Sequence, residues 1–418
     1  MDTNKLTTLG DLWESHTSPN YNIDSTRTYV QQTAEQYAND FEASDKDLYA
    51  SAVFKNLWNK KVMYLGNKEV IGDTWGDIQY QSELFDDSVD YTQPDYPIVF
   101  SNGGLEGEHK QRYRSFYSDY NIWTGEAKTG HVWQAYSSLL DTIQNNMPGI
   151  LASRLSGSAQ VLNIECHGTK RNILLTSDPY TSNEATLNEY RGDTADAILD
   201  SGVYIVRINK DSHANIKELH HNEKKLFCNQ WIYVVDYGAT LYLDREIHHT
   251  TGVIDNLQII QYPGSTVKIN THDRGNQWRN IDIQAYQDTT TIVNGSTLLK
   301  NSSSANFIDV HHKGNNGNSS IKYKSAIYNS NVGNFIGQVK VDKRAVGTKS
   351  IMENKNLLVD PEARAMSKPI LNINTKEIEC THGCTTSKIP EDELYYLETL
   401  GLDKNSAKSL IANGHIQI

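Results

Sequence analysis

Between Ser158 and about Val359 the chain is a succession of short apolar–polar alternations separated by turn residues. Val161–Cys166, Asn172–Thr176, Val203–Asn209, Leu226–Asp236, Thr240–Asp244, Ile254–Tyr262, Thr266–Asn270, Ile281–Tyr286, Thr290–Val293, Phe307–His311, Ser320–Tyr328 and Phe335–Val341 each read as a strand. From Val203 to Val359 no apolar pattern of helical length interrupts them. A doubly wound sheet needs a helix between parallel strands, so that architecture is excluded. The strands also repeat. Gly238-Ala-Thr-Leu-Tyr-Leu243 resembles Gly264-Ser-Thr-Val-Lys-Ile269, and Thr289-Thr-Thr-Ile292 and Asn318-Ser-Ser-Ile321 have the same shape. Such a unit, returning roughly every 25 to 29 residues with small polar corners, predicts a stacked β-solenoid. A β-sandwich would give equally regular short strands, but not strands that resemble one another in sequence.

The flanks read differently. Before the repeats, Tyr29, Val30, Ala34, Tyr37, Ala38 and Phe41 fall at helical spacing. Strand candidates follow at Lys61–Leu65, Glu69–Ile71 and Pro97–Ser101, then a helical segment at Val132–Gln144. Residues 1–155 are expected to form a mainly helical, mixed accessory domain, with the solenoid over 156–385. A C-terminal helical segment spans 386–418. There Pro390 opens a helix with Glu391, Asp392 and Glu393 in its first turn, and Leu394, Leu397 and Leu400 form an apolar stripe that ends at Gly401. Asp403 caps a second helix carrying Ala407, Leu410 and Ile411, closed by Gly414.

Composition narrows the function. Lys and Arg number 39 against 51 Asp and Glu, a formal charge of −12 over 418 residues. Binding to a nucleic-acid backbone needs basic surface, so that class is excluded. No run approaches the roughly 20 apolar residues of a membrane span, and no secretory pattern opens the chain. Four scattered cysteines suit a reducing cytoplasm rather than a disulfide framework. There is no Gly-x-x-x-x-Gly-Lys-Ser/Thr loop, so the chain is not itself a P-loop ATPase, and no His-Glu-x-x-His or Gly-x-Ser-x-Gly motif is found.

Soft ligands concentrate in Ile378–Ile389. Cys380, His382 and Cys384 stand at i, i+2 and i+4, which puts all three on one face of a strand. Thiolate and imidazole are ligands of zinc, iron and iron–sulfur clusters, but the spacing matches no self-contained zinc or ferredoxin site. The adjacent pairs His220-His221, His248-His249 and His311-His312 each offer at most one ligand to a face and read as hydrogen-bonded or exposed rim residues. Cys228, between Phe227 and Trp231, reads as a small buried residue. Asp282 and Asp309 would be candidate carboxylates if the solenoid were a polysaccharide lyase or hydrolase. A purely structural β-solenoid is the third reading.

Ordered motifs then point to a family. His312-Lys-Gly314, Ser319-Ser-Ile-Lys-Tyr-Lys324, Phe335-Ile-Gly-Gln-Val-Lys-Val341, Glu353-Asn-Lys-Asn-Leu-Leu358, Pro369-Ile-Leu-Asn-Ile373 and Cys380-Thr-His-Gly-Cys-Thr385 occur in that order. Together they resemble the core of the SufB/SufD family of SUF iron–sulfur cluster assembly scaffolds over about residues 225–415. The resemblance implies a right-handed parallel β-helix core, mainly β, with an N-terminal α/β region and C-terminal helices. It implies an assembly scaffold rather than an enzyme, which binds no nucleotide itself. Its partners would be an ABC-type, SufC-like ATPase and a SufB-like or identical subunit. The cargo would be a transient iron–sulfur cluster formed between the two core subunits.

Carried over residue by residue, His382 matches the family's interface histidine and Cys380 the SufD-type cysteine. Asn354 stands where SufB-type chains have a catalytic cysteine, and Gly383 where they have a glutamate. Both departures point to the SufD side, whereas Thr385-Thr-Ser-Lys-Ile389 is closer to SufB. Cys384 replaces the usual alanine and is a candidate additional ligand. Leu394, Tyr395, Leu397, Leu400, Ala407 and Leu410 become the candidates for ATPase docking.

Overall fold

The computed structural model describes residues 197–221, 225–248 and 251–417, together with Ala152 and several earlier strands. The earlier strands are β1 (Lys5–Thr8), β2 (Lys61–Tyr64), β3 (Tyr96–Ser101), β4 (Gly104–Gly107), β5 (Asn121–Glu126), β6 (Ala159–Glu165) and β7 (Lys170–Ser177). The expected helices around Tyr29–Phe41 and Val132–Gln144, and the strand Glu69–Ile71, lie outside the described residues.

The chain continues as β8 (Ala197–Ile208), β9 (His213–His221), β10 (Lys225–Val235), β11 (Thr240–His248), β12 (Gly252–Gln261), β13 (Thr266–Asp273) and β14 (Gln277–Ala285). Next come β15 (Thr290–Leu299), β16 (Ser304–His312), β17 (Asn318–Ile327), β18 (Val332–Val341), β19 (Thr348–Leu358), β20 (Arg364–Ile373) and β21 (Ile378–Lys388). Two helices close it, α1 (Glu391–Thr399) and α2 (Lys404–Ile416).

From β6 onward every strand pairs in parallel with the strand two places later, so even-numbered strands build one sheet and odd-numbered strands the other. This is a parallel β-solenoid. A sandwich of antiparallel sheets is ruled out by the register itself. The earlier strands join the same sheets: β2 runs parallel to β8, and β3 runs parallel to β7.

Alternation builds the core. In β13, Val267, Ile269, Thr271 and Asp273 are buried, while the residues between them are half-buried. Stacked inward positions such as Leu241, Val267, Leu243 and Ile269 pack with Tyr233, Leu257 and Ile283 of the facing sheet into one continuous cluster. Each such side chain contributes about 1.5–3 kcal/mol when fully buried.

One corner of the solenoid explains the repeat. Asp211, Gly238, Gly264, Asp288, Asn316 and Gly347 all take positive φ, between 54° and 75°. Each donates its backbone N–H to the carbonyl at the same corner of the next rung, as Gly238 does to Pro263 and Gly264 to Gln287. Gly, Asn and Asp tolerate this left-handed backbone, so they recur there.

The interior also holds charge. The buried Glu218, Arg245, Asp255, Arg279 and Asp273 form a chain of ion pairs: Arg245 meets Glu218 at 2.5 Å and Asp255 at 2.7 Å, and Arg279 meets Asp273 at 2.9 Å. His220 closes one end on Glu218 at 2.5 Å. Although desolvation opposes ionisation, the Arg245 guanidinium and His220 bring the Glu218 carboxyl down to about 2.

Candidate functional site

The site grows out of the last rung. β21 pairs with β19 so that Cys380 faces Ser350, His382 faces Met352, Cys384 faces Asn354 and Thr386 faces Asn356. Directly paired residues of a parallel sheet share a face, and Ser350, Met352, Asn354 and Asn356 are all buried on the core side. Cys380, His382 and Cys384 therefore point along the core side too. Cys380 still touches the core, beside Leu371 and Ile378. His382 and Cys384 are exposed, because β21 ends its sheet and, among the described residues, no further rung covers them. On the other sheet β20 ends the order in the same way, with its residues only half-buried or exposed.

The three donors suit soft metals, but they are strung out rather than gathered. Successive same-face positions on a strand lie about 6.6 Å apart, so the outer two are separated by about 13 Å. Among the described residues no three His, Cys, Asp or Glu side chains come together closely enough to hold a metal ion. The set is thus chemically apt and geometrically incomplete within one chain. Burial pushes the Cys380 thiol up, and a backbone hydrogen bond from Ser350 partly offsets this. Gly383 is on the opposite face, and a Cβ there would meet nothing within 4 Å, so neither space nor a left-handed backbone demands glycine.

Asn354 is inert by construction. Its Nδ2 donates to the Tyr323 carbonyl at 3.1 Å, and its Oδ1 accepts from Asn356 Nδ2 at 2.7 Å. No nucleophile stands at this buried position.

The C-terminal segment lies beside the same end. Pro390 is the residue before α1, whose first turn carries Glu391, Asp392 and Glu393. Gly401 follows it at φ +92°. Asp403 caps α2 by accepting from the backbone N–H groups of Asn405 and Ser406. α2 packs on the solenoid through Ala412, Ile411 and Ile416 against Leu298, Ala326, Leu357 and Val359. Lys408 also meets Asp360 at 2.5 Å. The expected stop at Gly414 is corrected: α2 runs on to Ile416, because the packing of Ile411, Ala412 and Ile416 outweighs the weak helix propensity of one glycine.

Of the expected docking residues, Tyr395, Leu400 and Leu410 are exposed, Leu394 and Leu397 are half-buried, and Ala407 is fully buried inside the chain. Tyr396, 62% exposed, belongs to the same apolar surface and was missed by the leucine stripe. Its signal was the adjacent aromatic pair.

The remaining candidates sit elsewhere. His220 belongs to the buried ion chain rather than a rim. His311 meets Asp342 at 2.8 Å, and its buried neighbour His312 meets the Ser319 hydroxyl at 2.9 Å. Cys228 is buried, as expected, and desolvation raises its thiol strongly. Asp282 and Asp309 are neighbours in register on β14 and β16, in the sheet that does not contain β21.

Residues 191–415 match the family model described as SUF system FeS cluster assembly, SufBD core domain. A SufBD-family iron–sulfur cluster assembly protein of Synechocystis sp. is 36% identical over 77 residues, 18% of this chain and 17% of the relative. The iron–sulfur cluster assembly protein SufD of Escherichia coli is 32% identical over 77 residues, 18% of each chain. A SufBD-family protein of Mycobacterium leprae is 30% identical over 106 residues, 25% of this chain and 12% of the relative. The aligned stretches therefore span less than a fifth of these relatives' own lengths.

Proposed function

Because the chain belongs to the SufBD core family of SUF-type iron–sulfur cluster assembly, we propose that it is a scaffold subunit on whose last solenoid rung a nascent cluster is held. One observation carries this reading: Cys380, His382 and Cys384 lie on the core-side face of an uncovered edge strand, inside the family-matched region. A second core subunit, SufB-like or identical, would cover that edge and supply the missing ligands.

The physical chemistry favours such sharing. A cage complete within one chain would bind a cluster tightly. Ligands split between two chains let a modest change of pairing weaken the site and release the cargo. The buried, amide-locked Asn354 and the absent side chain at Gly383 support a SufD-like role, in which another subunit accepts sulfur.

Residues 386–418 form the docking surface of an ABC-type, SufC-like ATPase, through Tyr395, Leu400 and Leu410, with Leu394 and Leu397 at its edge and Ala407 supporting it from beneath. Residues 1–155 are an accessory domain. ATP hydrolysis belongs to the partner, this chain binds no nucleotide, and the assembly works in the cytoplasm.

The test is anaerobic purification of the tagged chain co-expressed with a SufB-type subunit and the ATPase. Mass spectrometry should find both partners, and the complex should carry iron and acid-labile sulfide. Recovery of the chain alone, free of iron, would overturn the reading.

A further inference from the structure

His312 and Cys380 stand at the two ends of a row of hydroxyl groups inside the solenoid. His312 is fully buried, and its Nε2 meets the Ser319 hydroxyl at 2.9 Å. Ser319 Oγ donates to Ser350 Oγ at 2.7 Å. Ser350 is the register partner of Cys380, and its backbone N–H bonds to the Cys380 sulfur. Leu241, Val267, Thr291, Ser319, Ser350 and Cys380 are successive inward positions of one row. That row is apolar in the earlier rungs and turns to hydroxyl groups as it nears the last one.

The hydrogen bonds have a direction. A serine hydroxyl has one hydrogen to give. Ser319 gives its hydrogen to Ser350, so from His312 it can only accept. Burial keeps the imidazole neutral, with its pKa lowered from 6.5 to about 4, so its single ring proton sits on Nε2. Nδ1 is then a bare lone pair, without a hydrogen-bond partner among the described residues. Gly317 packs against it, where a Cβ would overlap the ring. The opposite polarity would bury an Nδ1–H donor with no acceptor, which is the rarer fault in folded proteins. Each group therefore passes its hydrogen toward the last rung. The hydroxyl hydrogen of Ser350 is left to give, and Cys380 is the next residue of the row.

We propose that His312 is a positioning residue for Cys380. Through Ser319 it holds the Ser350 hydroxyl so that, once Cys380 binds a nascent cluster as thiolate, the sulfur accepts a second hydrogen bond, from Ser350 Oγ. The thiol proton leaves to solvent as the thiolate binds iron. Hydrogen bonds to a ligating sulfur stabilise the more negative, reduced state of a cluster and so raise its reduction potential. This role rests on Cys380 being a cluster ligand and deepens that reading. A His–Ser bridge that served packing alone would leave the potential unmoved.

The test uses the complex with a SufB-type subunit and the ATPase, loaded anaerobically, with the cluster's midpoint potential read by dye-mediated titration. Ser350→Ala should shift the potential negative, and Ser350→Thr, which keeps the hydroxyl, should return it to the wild-type value. Ser319→Ala and His312→Leu should each give a smaller shift of the same sign. The double variant Ser319→Ala and Ser350→Ala should match Ser350→Ala alone, because both act through one hydrogen. Should His312→Leu fail to fold, Ser319→Ala carries the same reading. In the isolated wild-type chain labelled with 15N-histidine, NMR should find the His312 ring proton on Nε2.

A ring proton on Nδ1 would overturn the direction and the role with it. A loaded Ser350→Ala complex at the wild-type potential would overturn the positioning role and leave the scaffold reading standing. A wild-type complex without iron and sulfide would overturn both.

Discussion

Met352 and His382 are direct partners across β19 and β21 and point to the same face, yet Met352 is fully buried and His382 is exposed. The difference is one rung of cover. Met352 is sealed by β21, whereas among the described residues no strand stacks beyond His382. A partner that supplies the next strand would turn an exposed imidazole into an enclosed one.

The C-terminal surface separates docking from stability. Tyr395 and Leu410 are 69% and 55% exposed, so the double change Tyr395→Ala and Leu410→Asp should leave the melting temperature nearly unchanged. The same double variant should lose ATPase partner capture at least tenfold in a binding titration.

The buried ion chain predicts the opposite. Arg245→Met leaves Glu218 and Asp255 facing each other without their shared cation, and breaking a buried pair from one side is destabilising by about 3–5 kcal/mol. Urea unfolding should show this loss.

His312 predicts a pH dependence. Burial, with the neighbouring His311 adding to it, lowers its pKa from 6.5 to about 4, so the folded state favours neutral imidazole. The unfolded chain takes up the proton first on acidification. The stabilisation is therefore fully present above pH 6.5 and is lost progressively as the pH falls to about 4, a change of about 3 kcal/mol. The urea midpoint should fall over that window, and His312→Asn should flatten the slope there. Below it, protonation of Glu218 continues the loss, because its carboxyl titrates at about 2.

Much of the fold was legible because the solenoid corners impose a backbone demand that only a few residues meet. Gly238 and Gly264 marked it directly, and Asp288 and Asn316, one and two residues before the repeats that start at Thr289 and Asn318, meet it by the same tolerance of positive φ. The donor face was legible for the same reason: period-two geometry places Cys380, His382 and Cys384 together whatever the surrounding packing. The ion chain was not legible. Arg245 and Glu218 are 27 residues apart in sequence, and only rung stacking brings them together. The end of α2 was misread because helix propensity was weighed without the solenoid surface on which Ala412 packs.

Asn354 ties stability to specificity. Asn354→Ala removes the donor to the Tyr323 carbonyl and the acceptor of the Asn356 amide, which should reduce stability by about 1–3 kcal/mol in urea unfolding. It should not abolish cluster loading, since the amide carries no ligand chemistry.

The central claim is that the donors on β21 hold the nascent cluster, and His382→Ala tests it most directly. Iron and acid-labile sulfide should be measured on the anaerobically purified complex, beside the melting temperature of the isolated variant. The complex should stay intact, the melting temperature should be essentially that of the wild type because the imidazole is exposed, and iron and sulfide should fall at least tenfold. Full loading of the His382→Ala complex would contradict it.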